Sequence, residues 1–293
     1  MSISIKPRRT AMYMPGSNQR ALDKARELPV DVVIMDLEDA VAPDAKEAAR
    51  MNVVAAIAAG GYGQREIVVR INGYGSPWWK DDLVAVATSG ADAMLAPKIN
   101  GADLLSKLGD LLAINGAPDG MRLWTMAETP TAILKINSIA SADSRLEVIV
   151  MGTSDLAKEL RIPPDPERIG LLPALTASIL AARAHGLDIL DGVFGDLTDD
   201  DGFTRSCEQG RKLGFDGKTL IHPRQIETAN HVFGVSAADV AYATEVINAW
   251  EAAAAQGKGI VVVNGRMIEN LHAAEARRVL TLHAAMNENQ TKE

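Results

Sequence analysis

Polar side chains recur along this chain at nearly even intervals, and each follows an apolar segment of strand length. The intervals are 34, 28, 30, 27 and 36 residues, and the series is Asp36, Arg70, Lys98, Glu128, Asp155 and Asp191. One strand with its following helix needs about 30 residues, and eight such units make a barrel of roughly 250 residues. The period therefore predicts an α/β fold, a (β/α)8 TIM barrel, with these side chains at the carboxyl ends of parallel strands.

Eight apolar segments have the length of buried strands and alternate with helical patterns, which is typical of a parallel sheet. Their bounds are Ala11–Met14, Val32–Met35, Ile67–Val69, Ala93–Ala96, Leu123–Ala127, Val148–Met151, Leu187–Leu190 and Lys218–Ile221. A doubly wound open sheet is the competing architecture. It is disfavoured because a switch point would concentrate the polar strand ends, whereas here they recur around the whole set.

The repeating units end near Gly234, so residues 1–234 are predicted to form the barrel and residues 235–293 a C-terminal extension. The extension contains a helical pattern over Ala237–Ala255 and two strand-like segments joined by Asn264-Gly265, a favourable two-residue hairpin turn. A last helix is predicted to run to about Ala285. Because the extension follows the closed barrel, we expect it to pack across one face, as a lid, or onto another subunit.

The composition fits an aliphatic α/β core, with 47% hydrophobic but only 4% aromatic residues. The net charge of −8 gives no general electrostatic footprint for nucleic acid. The single cysteine, Cys207, excludes an internal disulfide and a cysteine-based zinc site. No stretch reaches the ~20 apolar residues needed to cross a bilayer. We therefore expect a soluble, cytoplasmic protein without a membrane or nucleic-acid partner.

Glu128 and Asp155 are the first candidates for chemistry because they follow consecutive strands, which are neighbours in a barrel. Two carboxylates there form an oxygen-rich site that suits Mg2+, an ion that keeps several waters in proteins. The alternative is that both acids cap the helices after them, since carboxylates stabilise the free N–H groups of a helix N-terminus. From the residues alone, the metal site and the caps are about equally favoured.

Arg70 alternates with apolar residues in the third strand and is predicted to point inward. Its guanidinium can bind a substrate carboxylate through two parallel hydrogen bonds. A buried salt bridge to Asp36 or Glu38 is the alternative, which the residues alone slightly favour. Glu38 and Asp39 can orient metal-bound water or anchor their own loop. Lys98 can contact an anion or pair with one of these acids.

A loop of mostly small residues, Pro15-Gly16-Ser17-Asn18, precedes Arg20 and Lys24 at the start of a predicted helix. Free N–H groups and basic side chains at a helix start favour an anion such as a phosphate. The segment matches neither the P-loop nor the dinucleotide-binding fingerprint. An ordinary capped turn is therefore the alternative to a phosphate site.

Seven motifs occur in an order that resembles the citrate lyase β-subunit/malyl-CoA lyase family of CoA-ester lyases. They are Met14-Pro15-Gly16-Ser17-Asn18, Asp36-Leu37-Glu38-Asp39-Ala40-Val41, Val69-Arg70-Ile71-Asn72, Pro97-Lys98, Glu128-Thr129-Pro130, Gly214-Phe215-Asp216-Gly217-Lys218 and Ile221-His222-Pro223-Arg224-Gln225-Ile226. The resemblance covers nearly the whole chain, and the ordered set is specific although no single motif is.

This resemblance implies a (β/α)8 barrel with a C-terminal extension, a homotrimer or hexamer, and dependence on Mg2+, with Mn2+ as a substitute. It implies that Glu128 and Asp155 bind the metal and that Arg70 binds a substrate carboxylate or carbonyl group. The other implied site residues are Glu38 and Asp39 near the metal-bound waters, and Arg20, Lys24 and, more weakly, Lys98 at the CoA phosphates.

One segment departs from the family pattern. Malyl-CoA lyases carry a Met/Leu-Ile-Asp motif in the tail, whose aspartate reaches a neighbouring subunit's site as the catalytic acid/base. The matching segment here is Met267-Ile268-Glu269, so a carboxylate remains but is one methylene longer. Glu269 either takes the role of that aspartate or marks a branch with different chemistry, because acid–base catalysis depends on hydrogen-bond reach.

The activity implied by the resemblance is reversible Claisen-type cleavage of a malyl-, citramalyl- or citryl-CoA type thioester to acetyl-CoA and a 2-oxo acid. At the same site, a malyl-CoA thioesterase and a malate or citramalate synthase are alternatives. A subunit that works on an acyl-carrier partner is a third. A pyruvate-dependent class II aldolase, which needs no CoA, belongs to a different enzyme class with the same barrel and metal.

Overall fold

The computed structural model describes residues 6–291, with side chains described to Asn287. Eight strands form the sheet: β1 (Thr10–Pro15), β2 (Val32–Asp36), β3 (Glu66–Arg70), β4 (Ala93–Ala96), β5 (Arg122–Ala127), β6 (Leu146–Met151), β7 (Asp188–Asp191) and β8 (Gly217–Leu220). They pair in parallel in chain order, and β1 also pairs with β8, which closes the barrel. The predicted (β/α)8 TIM barrel is confirmed.

One or two helices follow each strand and cover the outside of the barrel. They are α1 (Gln19–Lys24), α2 (Lys46–Ala59), α3 (Trp79–Ala87), α4 (Ala102–Ile114), α5 (Pro130–Leu134), α6 (Ile136–Ala140), α7 (Thr153–Leu160), α8 (Leu172–Ala184), α9 (Asp200–Leu213) and α10 (Ile226–Val232). Apolar residues at helical spacing face the sheet, as with Leu105, Leu108 and Leu112 of α4. Short 3₁₀ helices cover Pro43–Ala45, Ile169–Leu171 and Pro223–Gln225.

The strands bury both of their faces, because alternate side chains point to the barrel interior and to the helices. In β2, Val32 and Ile34 belong to an interior cluster built from strand residues, whereas Val33 and Met35 pack in the cluster that also contains helix residues. Trp124 is the largest side chain of the interior cluster and is fully buried. The other buried residues of the interior cluster are aliphatic or methionine, whereas the cluster between sheet and helices also contains buried aromatic residues such as Phe203, Phe215 and Phe233.

A charged cluster closes the amino-terminal end of the barrel. The buried Arg8 guanidinium lies 2.7 Å from Glu66, 2.6 Å from Asp188 and 3.0 Å from Glu147. The guanidinium also lies 5.3 Å from the centre of the Trp124 ring. The charge of Arg8 is therefore compensated by acids at the amino-terminal end of the barrel, and this cluster fills that end. An open site is expected at the other end, where the strands have their carboxyl ends.

The chain divides into two compact units, Arg8–Phe233 and a second unit that groups the residues from Gly234 onward with those before Arg8, of which Lys6 and Pro7 are described. The second unit contains α11 (Ala237–Ala254), an antiparallel hairpin of β9 (Val261–Val263) and β10 (Arg266–Ile268), and α12 (Asn270–Thr291). Its apolar core joins α11 and α12 to the hairpin. Asn264 and Gly265 have φ angles of 50° and 74°, which confirms the predicted two-residue turn.

The last helix is longer than predicted, since α12 reaches Thr291 instead of ending near Ala285. No glycine or proline follows Ala285 up to that point, so no residue stops the helix there. Among the described residues, no helix combines the length and the apolar character needed to cross a membrane.

Candidate active site

A cavity of about 350 Å³ opens at the carboxyl end of the barrel strands. Four of the predicted site residues line it: Asp39, Arg70, Glu128 and Asp155. They are brought together because parallel strands in a closed barrel end on the same face. The remaining lining residues are Tyr13, Asp36, Ala40, Met126, Met151, Gly152, Thr153, Ser154, Val193, Thr219 and Ile221.

Arg70 is held in place by Asp36, the last residue of the neighbouring strand β2. The Nε and Nη2 atoms of Arg70 each donate to one oxygen of Asp36 at 2.7 Å, a bidentate pair. Asp36 also accepts the backbone N–H groups of Glu38 and Ala40. The salt-bridge alternative for Arg70 is therefore present, and the same pair fixes the guanidinium at the cavity wall.

The remaining edge of the Arg70 guanidinium faces other polar groups of the site. Its Nη1 atom lies 3.1 Å from Glu38 Oε2 and 3.3 Å from Asp39 Oδ2. The Tyr13 ring lies below it, with its centre 4.8 Å from the guanidinium carbon. Arg70 thus has one edge committed to Asp36 and one edge available to a ligand that displaces or joins these contacts.

Glu128 follows β5 directly and is only 2% exposed. The cap of α5 is the Thr129 hydroxyl, which accepts the N–H of Ala132 at 3.1 Å, so Glu128 is not needed as the cap. The Glu128 Oε1 atom instead accepts the backbone N–H of Lys98 at 2.6 Å. Burial and the charge of nearby Glu38 raise the pKa of Glu128 to about 7.

Gly152 makes room for Glu128 from the side of β6. A Cβ atom on Gly152 would lie 2.3 Å from Glu128 Cβ and 2.7 Å from Glu128 Oε2, which is closer than real side-chain contacts allow. The backbone between β6 and α7 therefore approaches the carboxylate closely. This places Glu128 Oε2 beside the start of α7.

Asp155 lies in the first turn of α7 and is half-buried at the cavity wall. Within the part of the chain that the structure describes, its carboxylate has no hydrogen bond or ion pair. Its charge contributes to the raised pKa of Glu128. Asp155 stands where a carboxylate can favour the helix N-terminus and can also bind a ligand in the cavity.

The charges around the cavity favour a cation. Five carboxylates, from Asp36, Glu38, Asp39, Glu128 and Asp155, meet three cationic side chains, from Arg70, Lys98 and Lys46. The described residues contain no group of three His, Cys, Asp or Glu side chains that could hold a metal. Mg2+ is commonly bound by one or two carboxylates, while water and substrate oxygens fill its other coordination positions. Glu128 and Asp155 fit this donor set.

The other predicted residues have different surroundings. Lys98 donates from Nζ to Glu38 Oε1 at 2.8 Å, so it pairs with an acid, one of the two predicted alternatives. Arg20 and Lys24 are exposed on α1 and are not among the described residues that line the cavity. Glu269 is half-buried in the second unit, directly before α12, and its N–H donates to His272 Nδ1.

Sequence reasoning missed Tyr13, Gly152 and Lys46. Alternation along β1 puts Tyr13 on the same face as Ala11, which is a signal that was available for an inward ring. Lys46 donates to the carbonyl groups of Leu37 and Glu38 from a buried position, which fixes the loop after β2. Lys46 lies in α2, away from the strand ends, and Gly152 directly follows β6 but has no side chain, so a pattern of polar side chains at strand ends did not include either residue.

The fold and site define a class of protein, a (β/α)8 barrel with an acidic, arginine-containing cavity at the carboxyl end of its strands. The family model described as HpcH/HpaI aldolase/citrate lyase matches residues 9–223. The chain belongs to this family. The resemblance deduced from the seven motifs is confirmed.

Two groups of curated relatives match almost the whole chain. A protein of Cereibacter sphaeroides named (3S)-malyl-CoA thioesterase is 46% identical over 96% of this chain and 96% of its own length. The citrate lyase subunit beta of Leuconostoc mesenteroides is 35% identical over 94% of this chain and 93% of its own length.

Solved structures show the same fold. CitE of Mycobacterium tuberculosis, in complex with magnesium, acetoacetate and coenzyme A, is 26% identical, with a TM-score of 0.73 over 94% of this chain and 97% of its own. A citrate lyase of Burkholderia xenovorans has a TM-score of 0.82 over 98% of this chain and 94% of its own, but at 16% identity it supports the fold alone.

Proposed function

We propose that this protein is a Mg2+-dependent enzyme acting on the CoA thioester of a small 3-hydroxy-3-carboxylate acid of the malyl-CoA type. The observation that carries the proposal is the pairing of Glu128 and Asp155 with a fixed Arg70 at one cavity. The names of the two groups of relatives and the magnesium and coenzyme A in the CitE complex support it. The proposal also includes a cytoplasmic location for the protein and its assembly as a homotrimer or hexamer.

Glu128 and Asp155 would hold Mg2+, which would supply Lewis-acid polarisation of substrate oxygens. Arg70 would bind the free carboxylate of the substrate, since its guanidinium is already oriented by Asp36 and loses little freedom on binding. The substrate carboxylate meets an excess of carboxylates at this cavity. Arg70 and the metal held by the two acids would compensate its charge.

Hydrolysis of the thioester is the first candidate reaction, supported by the 46% identity to a malyl-CoA thioesterase. Water would form a bond to the thioester carbon, the carbon–sulfur bond would break, and CoA would leave as a thiol. A carboxylate must accept a proton from the water. Asp39 lines the cavity and is 59% exposed, so it can exchange that proton with solvent.

Carbon–carbon cleavage is the second candidate, supported by the citrate lyase relative. A carboxylate of the site would accept the hydroxyl proton, the oxygen would form the keto group, and the bond between the hydroxyl-bearing carbon and the carbon next to the thioester would break. The products would be a 2-oxo acid and the enolate of acetyl-CoA. A carboxylic acid must then protonate that enolate, and Glu269 of the tail is the proposed donor.

One assay separates the two reactions. Purified protein is incubated with Mg2+ and malyl- or citramalyl-CoA, and the products are identified by mass. Free CoA with the hydroxy acid means hydrolysis, whereas acetyl-CoA with a 2-oxo acid means cleavage. We expect Glu128→Ala and Asp155→Ala each to lower turnover by about 10³-fold.

Glu159→Ala is the matched control, because Glu159 is an exposed carboxylate on α7, the same helix as Asp155. It should keep wild-type turnover and the same melting temperature. The proposal is wrong if both Glu128→Ala and Asp155→Ala retain wild-type rates with these substrates.

A further inference from the structure

Lys98, in the loop between β4 and α4, contacts two carboxylates of the site with different parts of the residue. Its backbone N–H donates to Glu128 Oε1 at 2.6 Å, and its ammonium donates to Glu38 Oε1 at 2.8 Å. The lysine side chain is 46% exposed, whereas Glu38 and Glu128 are buried. A partly exposed loop residue thus connects two buried acids.

The backbone of Lys98 has an uncommon conformation. Its φ angle of 56° lies in the left-handed region, which non-glycine residues other than asparagine and aspartate rarely adopt. Such conformations persist where surrounding contacts hold them, and they concentrate at functional sites. Here the contacts are the two hydrogen bonds to Glu128 and Glu38.

These contacts orient both carboxylates. Glu128 Oε1 is committed to the N–H of Lys98, so Oε2 points to the other side, where Gly152 leaves space at the start of α7. Glu38 Oε2 lies 3.1 Å from Arg70 Nη1. Lys98 therefore contacts the acid assigned to the metal directly, and it is linked through Glu38 to the arginine assigned to the substrate carboxylate.

We propose that Lys98 is a positioning residue, whose N–H orients Glu128 for the cation and whose ammonium holds Glu38 against Arg70. The inference rests on the proposed function for the identity of the cation and the thioester. It differs from a contact with the CoA phosphates, the role that the family resemblance implies. Two experiments test the backbone and the ammonium separately.

The backbone is tested with Lys98→Met and Lys98→Val, which both keep the N–H and both remove the charge. Only the β-branched valine strongly resists a positive φ. The readout is the dissociation constant of Mg2+, obtained without substrate from the way the melting temperature rises with Mg2+ concentration. We expect Lys98→Met to match the wild type and Lys98→Val to have a dissociation constant about tenfold higher.

Equal dissociation constants of Mg2+ for Lys98→Met and Lys98→Val would overturn the backbone role. A wild-type protein without any Mg2+-dependent rise would overturn the proposed metal site, and this inference with it. The two failures are distinguishable because the first leaves the wild-type response intact.

The ammonium is tested with malyl-CoA and with the malyl thioester of N-acetylcysteamine, which carries no phosphate. We expect Lys98→Met to lower kcat about tenfold on both thioesters, with little change in KM, because Glu38 loses a charged hydrogen bond. Lys98→Arg should recover part of the loss on both. A rise in KM confined to malyl-CoA, with unchanged kcat, would mean a phosphate contact and would overturn the positioning role.

Discussion

At the scale of single residues, the site depends on how Glu128 is surrounded. Its carboxylate is buried, accepts one backbone N–H and lies near the charges of Glu38 and Asp155. Ionisation in that setting is unfavourable, which is why the pKa of Glu128 rises to about 7. A divalent cation would reverse the effect, because it stabilises the ionised carboxylate.

The raised pKa of Glu128 predicts how stability depends on pH in the metal-free protein. The folded pKa of about 7 exceeds the ordinary value of 4.5, so the protein loses stability as the pH rises from 4.5 to 7. Glutamine has no proton to lose, so Glu128→Gln should not lose stability over this pH range. Its free energy of unfolding should exceed that of the wild type by about 3 kcal/mol at pH 8 with a chelator present. Urea unfolding of both proteins at pH 5 and pH 8 measures the difference.

Adding Mg2+ at pH 8 should raise the melting temperature of the wild type more than that of Glu128→Gln. If the stability difference between the two proteins is the same at pH 5 and pH 8, the assigned pKa of Glu128 is wrong.

At the scale of elements, the turns after the strands hold the functional side chains. β2 ends in Asp36, whose carboxylate organises the following loop and Arg70 of β3. The turn from β6 to α7 has a different role, because the absence of a side chain at Gly152 lets Glu128 approach. Each turn thus helps to position a side chain that belongs to a neighbouring strand or follows it.

The close approach at Gly152 predicts the effect of one added methyl group. In Gly152→Ala the new Cβ would collide with Glu128 Cβ, which is attached to the backbone and cannot swing away. We expect a loss of about 1–3 kcal/mol in unfolding free energy and at least about tenfold weaker Mg2+ binding. Urea unfolding and Mg2+-dependent melting measure these effects.

Gly120→Ala is the control, since a Cβ there has no neighbour within 4 Å and its φ is not in the left-handed region. It should leave Mg2+ binding unchanged. Wild-type Mg2+ binding in Gly152→Ala would show that Glu128 can move without consequence for the metal.

At the scale of the whole molecule, the residues with proposed roles are distributed over two compact units. The barrel unit contains the cavity, the acids assigned to the metal and Arg70. The second unit contains Glu269, whose position before α12 is fixed by the N–H bond to His272. Because the resemblance assigns a tail carboxylate to acid–base chemistry, Glu269 should affect the reaction and not the metal.

Substitutions at Glu269 test this division. Glu269→Gln should lower turnover by about 10²-fold or more, since a neutral amide cannot transfer the proton. Glu269→Asp should retain more activity than Glu269→Gln. Neither should change the Mg2+-dependent rise in melting temperature. Wild-type turnover in Glu269→Gln would exclude the tail carboxylate from the chemistry.

Co-expression of Glu128→Ala with Glu269→Ala extends the test to the proposed oligomer. If the tail serves a neighbouring subunit, mixed assemblies contain some intact sites and regain activity that neither variant has alone. Mixed samples that stay inactive would argue against such an exchange.

The sequence by itself determined the architecture and the strand-end residues, because both follow from local patterns. Apolar segments about 30 residues apart specify strand–helix units, and Glu128, Asp155 and Arg70 could be placed at one end of the barrel from that spacing. The turn at Asn264-Gly265 followed from local backbone preference. The length of α12 could not be predicted in this way, since no glycine or proline marks its end.

Only the tertiary structure decided how these side chains interact. Lys98 was predicted to be either an anion contact or an acid partner, and the pairing with Glu38 depends on two loops that are 60 residues apart. The bidentate contact between Asp36 and Arg70, and the space left by Gly152, likewise arise between strands. Burial and distances of this kind are set by the closure of the barrel, and no local sequence pattern encodes them.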